Sequence, residues 1–296
     1  MVKIRKKMQI ISLYFAVTKP KIIILLLVTA AGGLFLASDG WPNLIITLSV
    51  LIGGALTAGG ANSINNFWDR DIDQKMDRTK HKRHVATGKV PPIGALIFGI
   101  ALNLVGFVIL WQFTNLISGI LAISATLFYV FIYTIGLKRY TSQNIVIGGA
   151  AGAIPPVIGW SAVTGDFIHL APIALFSLIF LWTPPHFWAL SLLLKDDYEK
   201  AGIPMLPVVS GVRHTKFQIF IYTLILLVFG LASWILVAQL QFIYGITTLL
   251  LNLGFIGFAW RLLKQKNISL ALPTYLFSLA YLAGIFLAIA IESLII

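Results

Sequence analysis

Apolar stretches about 20 residues long, enough to cross a bilayer as a helix, recur along the whole chain. They predict nine spanning helices at 20–38, 43–66, 92–111, 115–136, 143–163, 168–193, 216–237, 241–262 and 270–292. The pattern predicts an all-α integral membrane protein, a single polytopic domain over residues 1–296. Met1–Lys7 leads through a polar-aromatic segment to Lys19-Pro20-Lys21, with no convincing cleavage site. The first span is therefore expected to stay in place rather than be removed as a signal.

Composition strengthens the membrane reading. The 296 residues are 58% hydrophobic and 11% charged, with a mean hydropathy of +0.92, whereas soluble domains are about 45–50% apolar and about 25% charged. A water-soluble globule and a disordered chain are excluded. The net charge of +12 is better explained by topology than by nucleic acid, because Lys and Arg avoid one set of loops completely. The loops at 39–42, 112–115, 165–167 and 239–241 contain none, and all 22 basic residues lie on the other side. By the positive-inside rule the N-terminus is cytoplasmic and, after nine spans, the C-terminus is outside. The expected location is the cell (plasma or inner) membrane. There is no cysteine, which removes disulfides, thiolate metal sites and covalent haem attachment.

Seven of the ten acids also lie on the basic side, at Asp69, Asp71, Asp73, Asp77, Asp196, Asp197 and Glu199. They cluster at helix ends in two loops four helices apart. Each loop mixes acid with base and proceeds through a similar turn, Gly88-Lys89-Val90-Pro91 and Gly202-Ile203-Pro204. Duplicated bundles place a shared site where their halves meet.

Asn65, Asp69, Asp73 and Asp77 recur every four residues, which on a helix makes one oxygen-rich stripe, with Asp71 facing away. Carboxylates at this spacing repel one another, and a helix C-terminal end disfavours them further. A cation must offset them. Oxygen ligands without Cys suit Mg²⁺, which typically bridges one or two carboxylates to phosphate oxygens. The basic residues downstream, Arg78, Lys80, Lys82 and Arg83, suit the remaining phosphate charge. A diphosphate head held at the membrane face, with a hydrocarbon tail between helices, describes a polyprenyl diphosphate. Its chemistry is ionisation to an allylic cation and capture by an electron-rich acceptor. Phe67, Trp68, Tyr129 and Tyr133 are the aromatic faces available to steady that cation, with ordinary packing as the alternative.

These residues resemble the UbiA superfamily of intramembrane prenyltransferases, whose first motif N-x-x-x-D-x-x-x-D is met by Asn65, Asp69 and Asp73, followed by Met76, Arg78 and Thr79. Within it the chain resembles the haem-farnesylating branch at Thr18-Lys19-Pro20-Lys21, Lys138-Arg139-Tyr140-Thr141 and Trp182-Thr183-Pro184-Pro185-His186-Phe187-Trp188-Ala189-Leu190. Asp197-Tyr198 and Gly202-Ile203-Pro204-Met205-Leu206-Pro207 match as well. The resemblance implies a UbiA-type bundle that transfers a farnesyl group from farnesyl diphosphate to a vinyl group of haem B, giving haem O and diphosphate. Haem B would be a substrate, Mg²⁺ the cofactor, membrane lipid the surroundings and a haem A synthase a partner. Asp69, Asp73 and Lys195 would be catalytic, and Asn65, Asp69, Asp73 and Asp197 would hold the metal. Arg78, Lys82, Arg83, Lys138 and Lys195 would bind the diphosphate. Two departures stand out: Lys82-Arg83 replaces the family's Arg-Pro pair, and the second D-x-x-x-D is missing, with Lys195 and Asp197 in its neighbourhood.

His186 lies about 13 Å inside the span, counted from Lys195 at about 1.5 Å per residue. For a haem acceptor it is an axial ligand or propionate contact; otherwise it bonds a neighbouring helix. His81, His84 and His214 fall in loops, and His169 falls on the far side. Pro155-Pro156 and Pro184-Pro185 break backbone hydrogen bonds, which is tolerated where protein or a water-filled cavity compensates. The paired glycines at 53–54, 59–60 and 148–149 permit close helix contacts. Two other functions compete. A quinone-precursor polyprenyltransferase, acting on 4-hydroxybenzoate or dihydroxynaphthoate, would be expected to carry the missing second motif. A secondary transporter would need ionisable residues along the spans, and the predicted span centres have no Asp, Glu, Lys or Arg.

Overall fold

In the computed structural model, which describes residues 2–38 and 40–295, with side chains from Met8 onward, nine helices are long and apolar enough to span a membrane. Asp39, in the first of the loops free of Lys and Arg, lies outside the described residues. Helix α1 (Val2–Val17) precedes the first span, α2 (Pro20–Ala37). There follow α3 (Leu44–Trp68), the short α4 (Arg70–Lys75), α5 (Pro92–Phe113), and α6 (Leu116–Leu127), which continues as a π-helix over Phe128–Leu137. The fifth span is split into α7 (Asn144–Ala153) and α8 (Pro155–Thr164). After α9 (Leu170–Leu193), α10 (Lys195–Lys200) and α11 (Leu206–Val209), the chain ends in α12 (Gly211–Leu236), α13 (Phe242–Lys264) and α14 (Ala271–Ile295). The predicted spans agree to within a few residues. The pre-span helix α1 is the one long element that the hydropathy pattern did not predict.

Local chemistry sets the helix starts. Asn43 accepts from the N–H groups of Ile45 and Ile46 to cap α3, and Asn115 caps α6 through the N–H of Ser118. His169, in the far-side loop, accepts at Nδ1 from the N–H of Ala171 and caps α9, the ordinary use of a polar side chain there. Proline opens α2, α5 and α8, where its missing N–H costs nothing. The two proline pairs have different outcomes. Pro155-Pro156 breaks the fifth span at Ile154, whereas Pro184-Pro185 sits inside an uninterrupted α9.

The helices close into a ring in which α3 packs on α5, α2 on α8, α7 on α9, and α14 back on α2. The largest apolar core joins α9 to the last three spans, through Trp182, Leu226, Phe255, Tyr281 and Phe286. Outward faces such as Ile97, Ile100 and Leu104 on α5 and Val228 and Ile235 on α12 are exposed, as expected where lipid is the solvent. Polar groups within the bundle pair internally: Ser63 donates to the Ala95 carbonyl at 2.7 Å and Thr126 to Asn103 at 2.8 Å. In a bilayer no water would satisfy them.

Candidate active site

Between α2, α3, α6, α7, α8 and α9 lies a cavity of about 320 Å³, walled by small and apolar residues such as Leu26, Ala58, Ala125 and Gly152. Lys19, Asn62, Tyr129 and Tyr133 stand among its polar lining, and His186 lines it from α9. The first acidic motif lies at the Lys19 end.

The expected stripe is shorter than the spacing suggests. Asp69 ends α3 and the chain resumes helix at Arg70, yet the Asp69 N–H still donates to the Asn65 carbonyl and that of Asp73 to the Asp69 carbonyl. Asn65, Asp69 and Asp73 thus remain on one face and are all buried. Met76 is extended, so Asp77 leaves the stripe and pairs instead with Lys80 and Lys200 in solvent. Asp71 faces away, as expected, and makes a two-pronged ion pair with Arg139.

The cations that offset the stripe come from distant positions. Lys138 donates to Asp69 Oδ2 at 2.5 Å, and Asn65 Nδ2 reaches the same oxygen at 2.8 Å. Lys19 donates to Asn65 Oδ1 at 2.7 Å. The π-helix positions one side of the site: its i→i+5 bonding carries the Lys138 N–H to the Tyr133 carbonyl and the Thr134 hydroxyl to the Tyr129 carbonyl. Tyr129 and Tyr133 stack at 5.4 Å against the cavity, and Thr134 accepts from Asn65. Phe67 and Trp68 do not line it; Phe67 carries the guanidinium of Arg70 over its ring, and Trp68 is exposed.

Lys19 is held by an unusual backbone. Its φ of +58° makes it the one non-glycine residue in the left-handed region among those described. Asn66 and Asn62 donate to the carbonyls of Val17 and Thr18, each at 3.0 Å, and anchor the turn to α3. Burial pushes the Lys19 amine well below its ordinary pKa and Arg83 adds to the effect, while Asp69 and Asp73 oppose it. Arg83 is half-buried; burial lowers its pKa, and Asp73 and Asp69 hold it up. Lys82 and Arg78 are exposed. Of the two residues standing for the missing Arg-Pro pair, Arg83 is the more buried, and Asp73 and Asp69 act on its charge.

The second loop behaves differently from the first. Lys195 is half-exposed and its nearest ionic partner is Glu199, at 3.8 Å. Asp197 is buried, and both its oxygens accept backbone N–H groups, from Asp77 at 2.9 Å and Arg78 at 3.0 Å. The two loops do meet, but through this contact and the Asp77–Lys200 pair. Asp77 is held down to about 2 by Lys200 and Lys80, against an ordinary 3.8. Because the folded value is depressed, this tether is at full strength above pH 3.8 and is lost as pH falls toward 2. Amide protection in residues 77–83, taken relative to the intrinsic rate at each pH, is expected to fall across that window and to change less in Asp77→Asn.

Mg²⁺ fits the first motif. Asp69 Oδ1 is a buried carboxylate oxygen with no partner, and Asp73 is buried with no hydrogen bond to its side chain among the described residues. Among those residues, no three His, Asp or Glu side chains converge as a metal-holding group. A metal there would rest on Asp69 and Asp73, beside the Asn65 amide, with the rest of its oxygens from ligand and water.

Sequence reasoning missed Lys19 as a site residue, and Thr134 and the π-helix completely. Lysine directly before the proline that opens the first span was the available signal for Lys19; nothing in the local sequence marks the π-turn. At His186, Nδ1 lies 2.6 Å from the Ser278 hydroxyl and the ring is stacked on Trp182 and Tyr275. His81, His84 and His214 are in or beside the loops of the basic side.

A membrane-spanning helical bundle with paired buried carboxylates and half-buried cations at one end of an apolar cavity is built for an amphiphile whose head is anionic and whose tail is hydrocarbon. The UbiA prenyltransferase family model matches residues 25–290, and the chain belongs to that family. Curated relatives include the protohaem IX farnesyltransferases of Synechocystis, 46% identical over 95% of this chain and 89% of the relative, and of Gloeobacter violaceus, 47% identical over 95% and 92%. The fold matches a solved digeranylgeranylglyceryl phosphate synthase with a TM-score of 0.77 at 19% identity, over 97% of this chain and 99% of the other. It also matches a UbiA homologue from Archaeoglobus fulgidus, solved with GPP and Mg²⁺, with a TM-score of 0.70 at 15% identity, over 94% and 99%.

Proposed function

We propose that this prenyltransferase moves a farnesyl group from farnesyl diphosphate to a vinyl group of haem B, giving haem O and diphosphate. The observation that carries the reading is the juxtaposition of Asp69 and Asp73, with Lys19, Lys138 and Arg83, against one end of the apolar cavity. The acceptor rests on the curated relatives. Asp69 and Asp73 would hold Mg²⁺, which when bound would neutralise charge on the leaving diphosphate. Lys19, Lys138 and Arg83 add fixed positive charge where the diphosphate gains negative charge, and their low-dielectric setting makes each worth more than in water. Tyr129 and Tyr133 present stacked faces to the electron-poor allylic carbon. The vinyl carbon captures it, and water completes the hydroxyethylfarnesyl group with loss of a proton. The site faces the cytoplasm of a plasma or inner membrane, because the basic residues flank it, and a haem A synthase is the natural recipient of the product.

The test is purified protein with Mg²⁺, farnesyl diphosphate and either haem B or 4-hydroxybenzoate, with products weighed by mass spectrometry. A haem O product is expected. A prenylated 4-hydroxybenzoate without it would overturn the acceptor, and no prenylated product would overturn the enzyme reading.

Two further outcomes follow from the cavity. Gly152 lines it with open space beyond its Cα, and lies about 12 Å along the helix from Asn144, at about 1.5 Å per residue. Gly152→Phe should fill the tail region and lower turnover of farnesyl diphosphate about tenfold or more relative to dimethylallyl diphosphate, since small ligand-pocket volumes decide chain length. His186 contributes one ring nitrogen to Ser278, and its Nε2 has no hydrogen-bond partner among the described residues, which suits a haem contact. His186→Phe keeps the stacking on Trp182; loss of a haem-induced Soret shift is expected, and a shift like the parent's would assign His186 to packing.

A further inference from the structure

The buried Asp197 is the point at which the second loop grips the first. It lies in the first turn of α10, and each carboxylate oxygen accepts one backbone N–H from a segment about 120 positions earlier. A carboxylate that accepts two main-chain N–H groups is well satisfied, and charge-assisted bonds of this kind are about twice as strong as neutral ones. Around the contact, Ile72 and Met76 pack with Ala201, Ile203 and Met205 in a small apolar cluster. On the outside, Lys200 braces Asp77 at 2.6 Å. The segment so held begins with Arg78 and ends with Arg83, and the two line one polar pocket with Thr79 and Asn66.

We propose that Asp197 is a positioning residue rather than a metal ligand: it clamps the Met76–Arg83 segment on α10 and so sets where Arg78 and Arg83 meet the substrate's diphosphate. One observation separates this role from metal binding. Both oxygens are engaged by main-chain donors, whereas Asp69 keeps one oxygen without a partner. The clamp also gives a physical account of the missing second D-x-x-x-D. In this chain the second loop contributes a backbone-gripping carboxylate, and the first loop supplies the charged groups. The inference rests on the prenyltransferase reading only for the meaning of the diphosphate; the contact itself is independent of it.

The test compares Asp197→Asn with Asp73→Asn in the purified full-length protein. Mn²⁺ alone, followed by electron paramagnetic resonance, should bind the Asp197 variant within about twofold of the parent and the Asp73 variant about tenfold or more weaker. With farnesyl diphosphate the Asp197 variant should show a KM raised about tenfold at nearly unchanged kcat, the scale of one lost charged hydrogen bond. In an Arg78→Ala background the same change should add much less, because residues acting through one another are not additive. Trypsin should cut the Asp197 variant faster within residues 78–83 and at the parental rate elsewhere. Mn²⁺ binding weakened as far as in Asp73→Asn, or unaltered cleavage at 78–83, would overturn the clamp. Should Asp197→Asn not fold, amide exchange in the parent carries the test: the N–H groups of Asp77 and Arg78, which Asp197 accepts, are expected to be protected, and exchange of both at the unprotected rate would overturn the clamp. Failure of prenyl transfer by the parent would instead count against the enzyme reading, since the metal and protease measurements need no turnover.

Discussion

Asp73→Asn is expected to lower farnesyl transfer by roughly 10²–10³-fold or more, the scale on which one preorganised electrostatic group matters, with little change in thermal stability. Asp73 is buried but forms no ion pair within 4 Å among the described residues, so its replacement removes a proposed metal ligand without orphaning a lysine. Asp69→Asn should cost as much activity and should also destabilise the protein. Lys138 would lose the carboxylate to which it donates, and breaking a buried pair from one side costs about 3–5 kcal/mol. Adding Lys138→Met to Asp69→Asn should restore much of the stability and none of the activity. Turnover measured by mass and thermal unfolding in detergent, taken together for the three variants, separate the two effects. An active Asp73→Asn protein would remove the metal site from the mechanism.

The second large effect concerns the wall of the cavity. At Gly33 an added Cβ would lie 2.0 Å from the Pro156 carbonyl oxygen, and at Gly159 it would lie 2.0 Å from that of Ala30. Both neighbours are backbone and cannot swing aside, so either alanine must drive α2 and α8 apart. Overpacking typically costs about 1–3 kcal/mol, and a clash with rigid backbone should reach the top of that range or pass it. Ala30 and Ile158, on the same two helices, line the cavity, so farnesyl diphosphate KM should rise along with the loss of stability. Gly165→Ala, at a loop position with a φ of +73° but no neighbour within 4 Å, serves as a control that strains the backbone without touching the wall. A Gly159→Ala protein that melts at the parental temperature would show that the α2–α8 contact is looser than its distances imply.

Much of the site was legible in the chain, and particular residues show why the rest was not. Asn65, Asp69 and Asp73 could be found because four-residue spacing survives in any helix, and an acid stripe at the end of an apolar run has few explanations. Asp77 was read into the stripe because spacing cannot reveal that Met76 turns extended. Lys138 was assigned to the diphosphate from resemblance, but its contact with Asp69 depends on a π-turn whose bonding register has no local sequence signature. The family resemblance groups Lys195 with Asp197 in place of the missing motif, and their closeness in sequence says nothing of where each side chain points. In space Lys195 turns toward Glu199 while Asp197 turns toward the backbone of the first loop.

The sequence alone determined the all-helical class, the nine spans and the acidic motif proposed to hold the metal. These follow from short-range physics: a bilayer admits apolar segments of one length, and helical periodicity fixes which neighbours share a face. The positive-inside pattern in the same sequence is the basis for the proposed orientation. Tertiary structure decided which cations reach Asp69 and Asn65, which of Lys82 and Arg83 turns inward, and what Asp197 holds. Those choices join residues 46, 69 and about 120 positions apart, and nothing local favours one partner over another until the bundle has closed around the cavity.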